Sequence, residues 1–225
     1  MSSLVQFDLE SRARMSGGST ASHVYSMVLR AMDQRKISGG HLIDLGCGNG
    51  AFLQLIQNRF SVSTGVDAVR YQALPPSSRF IQENLNEAIW ESLPRNKADV
   101  VVAIETIEHL ENPRAFMRNA VNLCKPGGWL IATTPNQLSF LSLLTLIVKG
   151  RFNAFQDVHY PAHLTALLPV DLLRIGQELQ LEDLDLEFGK WGRMPGLAIP
   201  FPSMISRAFP QQFSDHLLLI GRKVM

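Results

Sequence analysis

The chain has 225 residues, of which 46% are hydrophobic and 18% are charged, and this composition excludes a largely disordered protein or a coiled coil. Lysine and arginine number 21 against 20 acidic residues, and no basic run stands out, so we expect no nucleic-acid partner. The two cysteines, Cys47 and Cys124, give no sign of a disulfide framework or a cysteine metal site, which favours a cytoplasmic protein.

Short apolar runs alternate with amphipathic stretches along the first 135 residues, and this alternation predicts βαβ units around a parallel sheet. The run at 98–104 is almost wholly apolar, as expected of a strand that is covered on both faces. In chain order, the predicted elements are a helix at 21–35, a strand at 41–45, a helix at 51–60, strands at 61–67, 79–85 and 98–104, a helix at 112–124 and a strand at 129–134.

Beyond residue 135 the pattern is less regular. We predict an irregular stretch at 135–168, a helix at 170–179, a strand at 181–188, a proline-rich connection at 191–213 and a last strand at 215–223. Long connections of this kind in a compact α/β domain are usually functional. We therefore expect a single domain over 1–225, with 136–168 and 191–213 as lid insertions on the substrate side.

A glycine-rich turn, DLGCGNG at 44–50, stands where the first predicted strand passes into a helix. Backbone amides face whatever binds across such a turn, and glycine lets a ligand approach closely. Asp67 ends the next strand, where a carboxylate can accept hydrogen bonds from both ribose hydroxyls of an adenosine. The turn alone also fits the G-x-G-x-x-A fingerprint of dehydrogenases through Gly46, Gly48 and Ala51, and a purely structural turn is a further alternative.

Four motifs together resemble the class I S-adenosylmethionine-dependent methyltransferases, and in particular the relatives of the ubiquinone-pathway O-methyltransferases. Asp44 stands two places before Gly46 in a D-x-G-x-G-x-G turn, and Asp67 matches the acid that binds ribose in that family. KPGG at 125–128 matches the family's turn before the fifth strand, and ETIEHLENP at 105–113 resembles its E-x-x-E-H motif. A dehydrogenase would not be expected to show the last two motifs.

The resemblance implies a Rossmann-like α/β fold with a seven-stranded, mostly parallel sheet, helices on both faces, an antiparallel last hairpin and a lid after strand five. It implies S-adenosylmethionine as the cofactor, lying over the glycine turn. The expected cofactor-binding residues are Asp44, Gly46, Cys47, Gly48, Asn49, Gly50, Asp67, Ala68, Asn84, Leu85, Ile104 and Glu105. The match at Asn84 is loose, because family members often have an aspartate at the adenine, and a solvated loop is the alternative there.

Removing the proton of a hydroxyl acceptor needs a base, and an imidazole can provide it near neutral pH. His109, His159 and His163 fall in segments that this fold places at the carboxyl end of the sheet, so they are the candidate catalytic bases.

Glu105, Glu108 and His109 follow an i, i+3, i+4 spacing, which would place them on one face if a helix begins at the strand end. Such a set suits a divalent cation, with His163 or His159 as a fourth ligand. A similar motif with a later histidine binds a metal in the small-RNA 2'-O-methyltransferases and ubiquinone-pathway enzymes that the chain resembles. The alternative is that Glu108 and His109 only hydrogen-bond the cofactor loop.

The apolar run within 136–155 ends in Lys149 and Arg151, which is typical of an interfacial helix, but its apolar residues surround most of the helix, which favours a lid. Peripheral membrane contact through 138–152 is the alternative, and the run is too short to span a bilayer. The stretch at 159–173 resembles a pocket-covering segment of bacterial relatives, so His163 and Thr165 either face the acceptor or form a loop-to-helix junction.

We therefore expect O-methylation of a small-molecule acceptor that is lipophilic or bears a sugar. Two alternatives stay open: a non-catalytic binding protein that keeps the cofactor fold, and a nicotinamide-dependent dehydrogenase that uses the same glycine turn.

Overall fold

The computed structural model describes residues 9–197 and 199–225. Its strands are β1 (His41–Leu45), β2 (Val62–Asp67), β3 (Arg79–Gln82), β4 (Ala98–Ile104), β5 (Cys124–Pro135), β6 (Glu182–Phe188) and β7 (His216–Arg222). Its helices are α1 (Leu9–Met15), α2 (Ser22–Gln34), α3 (Ala51–Leu55), α4 (Pro113–Leu123), α5 (Phe140–Lys149), α6 (Pro169–Glu178) and α7 (Ser203–Ala208). Short 3₁₀ turns lie at Ile107–His109, Asn153–Phe155 and Asp157–His159.

The seven strands form one sheet in the order β3-β2-β1-β4-β5-β7-β6. Neighbours among β1 to β5 pair in parallel, and β7 lies between β5 and β6 and runs antiparallel to both. The structure thus confirms the predicted fold class, a mostly parallel seven-stranded sheet whose last two strands pair antiparallel.

The two faces of the sheet are buried under separate sets of helices. Alternate residues of a strand point to opposite faces, so Val101 of β4 packs in the same cluster as Phe116 of α4, while Val102 packs with Met27 of α2. This double burial explains the nearly continuous apolar sequence of β4. Because both faces are covered, the exposed edge formed by the carboxyl ends of the parallel strands is the place where a ligand can enter.

Several predicted elements have different ends in the structure. Helix α3 stops at Leu55 rather than at residue 60, because Arg59 N–H bonds Ile56 O in a turn. Strand β3 ends at Gln82 rather than at residue 85, since the Asn84 side chain accepts from Asn86 N–H and turns the chain away. Strand β5 runs through the predicted turn at 125–128, where Gly127 N–H donates to Lys223 O.

Two helices fall where no helix was predicted: α1 in the N-terminal segment and α7 in the proline-rich connection. Helix α5 lies within 136–155, where the apolar run was interpreted as an interfacial or lid helix inside an otherwise irregular stretch. Helix α5 begins at Ser139, whose side chain accepts from Ser142 N–H, and ends at Gly150, which adopts a positive φ of 71°. Across the described residues, no helix is both long and apolar enough to cross a membrane.

Candidate active site

The glycine turn joins β1 to α3 and is fixed to the end of β2. The backbone N–H groups of Gly46 and Cys47 both donate to Val66 O, at 2.8 and 3.1 Å. Gly48 has a positive φ of 51°, and a Cβ atom there would overlap the carbonyl oxygen of Gly18. The turn therefore needs glycine at this position, both for its backbone conformation and for the close approach of the N-terminal segment.

Asp67 stands at the end of β2 and faces the turn. One carboxylate oxygen accepts from Gly48 N–H at 2.9 Å, and the other accepts from Val69 N–H at 3.1 Å. Burial raises the pKa of Asp67, and these backbone hydrogen bonds oppose the rise. Asp44 is only 2% exposed, and burial together with the nearby Asp67 raises its pKa to about 8. Two carboxyl groups thus lie beside a turn rich in backbone amides.

A cavity of about 230 Å³ opens over this turn at the carboxyl edge of the sheet. Most predicted cofactor-binding residues line it, together with two of the candidate bases: Asp44, Gly46, Cys47, Gly48, Asp67, Ala68, Asn84, Leu85, Ile104, Glu105, His109 and His163. The other predicted residues, Asn49, Gly50 and His159, are not part of the lining. Asn49 instead accepts from Ala51 N–H at the start of α3, and the left-handed Gly50 precedes that helix.

The N-terminal wall of the cavity was missed in the sequence. It consists of Arg12, Ala13, Ser16, Gly18, Ser19, Thr20 and Tyr25. Arg12 crosses the mouth of the cavity, where it pairs with Glu111 at 2.9 Å and donates to His109 O at 3.3 Å. The only sequence signal is the cluster of small residues at 16–20, which is too common in loops to indicate a site.

Glu105 does not belong to the three-ligand group that its spacing predicted. Its φ of 51° is left-handed, so no helix begins at the strand end and the i, i+3, i+4 geometry does not form. Its carboxylate accepts from the Thr133 hydroxyl at 3.0 Å and lies 3.4 Å from His216 Nε2. Burial and the nearby Glu108 raise the pKa of Glu105 well above its ordinary value.

Glu108, His109 and His163 do come together, with ligand atoms that lie within 4.8 Å of one another. Glu108 is fully buried, and neither of its carboxylate oxygens has a hydrogen bond of normal geometry within the described residues. Burial raises the pKa of Glu108 to about 8. A buried carboxyl group without partners is costly, so this group is suited to a ligand that supplies them.

The tautomer of His109 is set by its surroundings. Its Nδ1 lies 2.8 Å from Ala162 O, and because a carbonyl only accepts, Nδ1 carries the proton and Nε2 is the basic nitrogen. Burial lowers the pKa of His109, and the backbone carbonyls of Ala162 and Glu105 oppose this shift. His163 meets this ring edge-on at 4.7 Å, and burial and His109 lower its pKa to about 4. His163 Nδ1 has no partner among the described residues.

The segment that carries His163 is clamped to the 3₁₀ turn at Ile107–His109. Backbone N–H groups of Leu164 and Thr165 donate to Glu108 O at 2.9 and 3.0 Å. The Thr165 hydroxyl donates to Leu110 O at 2.7 Å and Thr165 does not line the cavity, which favours the loop-to-helix junction. His159 stacks on His163 at a ring distance of 5.3 Å and accepts from Gln156 N–H, away from the cavity lining.

The side chain of Asn84 is engaged in the loop after β3. Its side chain donates to Glu87 at 2.9 Å and accepts from Asn86 N–H at 3.1 Å, so both ends of the amide are engaged in the local loop. Asn84 lines the cavity, but its hydrogen bonds serve the turn after β3.

Comparison with known proteins finds similar methyltransferases. The chain is 28% identical over 150 residues to the ubiquinone biosynthesis O-methyltransferase of Coxiella burnetii, a match covering 59% of this chain and 62% of that protein. It is 24% identical over 177 residues to the protein of the same name from Pseudomonas fluorescens, covering 75% and 69%. Several other curated relatives match over about half of their length.

The fold and the family agree with this similarity. A solved S-adenosylmethionine-dependent methyltransferase from Archaeoglobus fulgidus superposes with a TM-score of 0.62 at 19% identity, covering 88% of this chain and 94% of that one. The model of a family described as a methyltransferase domain matches residues 20–186, which include the glycine turn, Asp67 and the three candidate histidines. The chain therefore belongs to this methyltransferase domain family.

Proposed function

We propose that this chain is an S-adenosylmethionine-dependent methyltransferase that methylates a hydroxyl group of a small, lipophilic acceptor. The observation that carries the proposal is His109, which lines the cavity with its Nδ1 proton held by Ala162 O and its Nε2 left basic. Membership of the methyltransferase domain family supports the reaction, and the names of the curated relatives support oxygen as the acceptor atom.

The residues of the cavity fit S-adenosylmethionine, which supplies a methyl group on a positively charged sulfur when it is bound. Side chains on Gly46 or Gly48 would collide with Thr106 or Gly18, so glycine at both positions lets the turn pack closely against these residues while its backbone lines the cavity. The Asp67 carboxylate is placed to accept from ribose hydroxyls. Burial and Asp67 raise the pKa of Asp44 to about 8, and a ligand that brings positive charge near it would favour its ionised form.

In this proposal the chain positions the reactants and removes one proton. Holding two reacting groups in line supplies several kcal/mol of barrier reduction, about 7 kcal/mol or more in favourable cases. Arg12 and the rest of the N-terminal wall limit the access of water to the cavity. His109 Nε2 accepts the hydroxyl proton, and the hydrogen bond to Ala162 O steadies the resulting imidazolium.

A divalent cation is the second part of the proposal and an alternative to His109 as the base, because a metal on Nε2 would leave that ring no free nitrogen to accept a proton. Glu108, His109 and His163 offer one carboxylate and two imidazoles, a set that suits zinc, iron or manganese. The unpartnered oxygens of Glu108 and the unpartnered Nδ1 of His163 support the fit. A metal there would lower the pKa of a nearby hydroxyl. Glu105 lies outside this group and is not proposed as a ligand.

The lipophilic character of the acceptor is inferred from the side of the cavity near His163. The Phe155 ring contacts the His163 ring at 5.5 Å, and the turn that carries Phe155 adjoins the apolar helix α5. A sugar-bearing acceptor is kept in the screen, because nothing in the cavity lining selects against one.

The first experiment combines binding with turnover. Calorimetric titration is expected to show S-adenosylhomocysteine binding and no NADH binding, and the reverse result would favour a dehydrogenase. Transfer of labelled methyl is then measured with alkylated phenols, glycolipids and amines. His109→Ala is expected to lose about a hundredfold or more in rate, while the matched control His159→Ala, outside the cavity lining, stays within threefold. Cofactor binding without transfer to any acceptor class would support the non-catalytic alternative.

The metal is tested by elemental analysis of the purified protein. Glu108→Gln is expected to remove the bound metal, whereas Glu105→Gln is expected to retain it, because Glu105 lies outside the ligand group. If the wild-type chain holds no metal and turnover survives a chelator, His109 acts as the base alone and the metal part of the proposal is wrong.

A further inference from the structure

Helix α5 turns its polar side toward the protein and its apolar side toward solvent, which is the opposite of a normal surface helix. Its buried residues are Ser142 and Thr145, whereas Ile147 is 82% exposed and Val148 is 71% exposed. The Ser142 hydroxyl accepts from Asn153 N–H at 3.3 Å, so the polar side of the helix is fixed to the protein. A soluble helix normally turns its apolar stripe inward, so this orientation needs a separate explanation.

Helix α7 repeats the pattern beside it. Ser206 is fully buried, while Met204 is 82% exposed. The two insertions are joined where the Phe140 ring contacts Phe201 and Phe213 at 6.1 and 6.0 Å. We call the exposed apolar side chains of the two insertions, which these ring contacts join, the α5–α7 face: Phe140, Leu143, Leu144, Ile147, Val148, Leu197, Ile199, Met204, Ile205 and Phe209.

The two segments that carry the α5–α7 face contain charged residues of one sign. Residues 136–155 and 190–213 contain no Asp or Glu and five cations: Lys149, Arg151, Lys190, Arg193 and Arg207. Because the whole chain has a net charge of only +1, the rest of the protein is net negative. Arg151 pairs with Asp157 and Arg193 with Asp215, but Lys149, Lys190 and Arg207 have no carboxylate partner in the described ranges.

We propose that the α5–α7 face docks on the surface of an anionic phospholipid bilayer, without spanning it. Exposed apolar side chains beside unpaired cations are the combination that binds at the boundary between headgroups and acyl chains. A second copy of the chain fits less well, because a symmetric dimer would place the same cations of both copies against one another. The anionic lipid surface supplies the opposite charge.

The docked face would adjoin the acceptor side of the cavity. Asn153 bonds α5, and two residues later Phe155 contacts the His163 ring, so only one short turn separates the α5–α7 face from the candidate active site. The docking proposal goes beyond the proposed function and does not depend on it, because binding to lipid is measured without turnover.

The test is co-sedimentation of the full chain with vesicles. We expect binding to vesicles of phosphatidylcholine with 30% phosphatidylglycerol, on the order of tenfold weaker binding to phosphatidylcholine alone, and weakening by salt. The double variant Ile147→Glu, Val148→Glu is expected to lose at least tenfold in vesicle binding. The matched control Ile89→Glu changes an exposed apolar residue outside the face and is expected to bind as the wild type does.

Folding and self-association are checked on the same samples. Thermal denaturation and S-adenosylhomocysteine titration of the double variant are expected to match the wild type, because both altered side chains are exposed. Equal sedimentation of the double variant and the wild type would overturn the proposal. So would a wild-type dimer in sedimentation velocity that the double variant dissociates, since that result assigns the α5–α7 face to a second copy.

Discussion

At the residue scale, Glu105 occupies a left-handed backbone conformation directly after β4, which costs a non-glycine residue on the order of 1 kcal/mol. Tertiary contacts hold it there, because Thr133 bonds both its backbone N–H and its carboxylate. The carboxylate also adjoins His216, whose other ring nitrogen lies 3.3 Å from His23. The conformation thus keeps Glu105 out of the ligand group of Glu108, His109 and His163 and joins it to a buried row of polar side chains.

Asp67 gives the residue-scale prediction. Asp67→Asn keeps the size of the side chain but removes the charge that strengthens hydrogen bonds to ribose hydroxyls, so S-adenosylhomocysteine binding should weaken by about 1–3 kcal/mol, roughly 5- to 150-fold. Calorimetric titration measures the change. The control is Asp33→Asn, since Asp33 pairs with Arg59 outside the cavity lining. Unchanged affinity of Asp67→Asn would show that the ribose lies elsewhere.

At the element scale, α1 forms one side of the cavity. Arg12 is 17% exposed and bonds both Glu111 and His109 O, and Tyr71 donates to Ala13 O at 3.3 Å. These contacts involve exposed and half-buried groups, which allows the helix to open and close over a ligand at low cost. This element is therefore the part of the site most readily altered without disturbing the sheet.

Arg12→Ala is expected to weaken S-adenosylhomocysteine binding about fivefold, because it removes a half-exposed ion pair and one hydrogen bond that hold α1 over the cavity. Dissociation in stopped-flow measurements should accelerate by a similar factor. Arg14→Ala is the matched control on the same helix, since Arg14 pairs with Glu10 in solvent and does not line the cavity. Equal effects of the two substitutions would contradict a closing role for Arg12.

Sequence patterns predicted the central elements well and the covering elements poorly. The strands β1, β2 and β4 have strong apolar patterns because both faces of the sheet are buried, and Asp44 and Asp67 follow from them. Helix α1 has no such pattern, since its place depends on a contact between Arg12 and a residue 99 positions away. The pattern of α5 is apolar on most sides, so only the structure shows that its polar side faces inward.

At the scale of the whole molecule, the buried carboxyl groups around the cavity lie at one edge of an apolar sheet. Burial raises the pKa of the carboxyl groups around the cavity, namely Asp44, Asp67, Glu105 and Glu108. Burial also lowers the pKa of every histidine in the chain: His23, His41, His109, His159, His163 and His216. Burial therefore disfavours the charged forms of these groups in the folded protein, and a ligand that supplies partners for them would add stability.

The pH dependence of stability follows from these shifts. Asp44, which faces Asp67 and Tyr25, is protonated up to about pH 8 when folded but ionises near pH 3.8 when unfolded, so the folded state binds more protons and stability falls as pH rises through that window. The lowered pKa values of the histidines make stability rise with pH instead, but only below their ordinary pKa of 6.5. From pH 6.5 to 8 the carboxyl groups act alone, and Asp44 contributes up to about 2 kcal/mol of destabilisation. The melting temperature of the ligand-free protein should fall over this range, and Asp44→Asn should flatten the fall. A melting temperature that rises from pH 6.5 to 8 would mean that Asp44 is already ionised in the folded state.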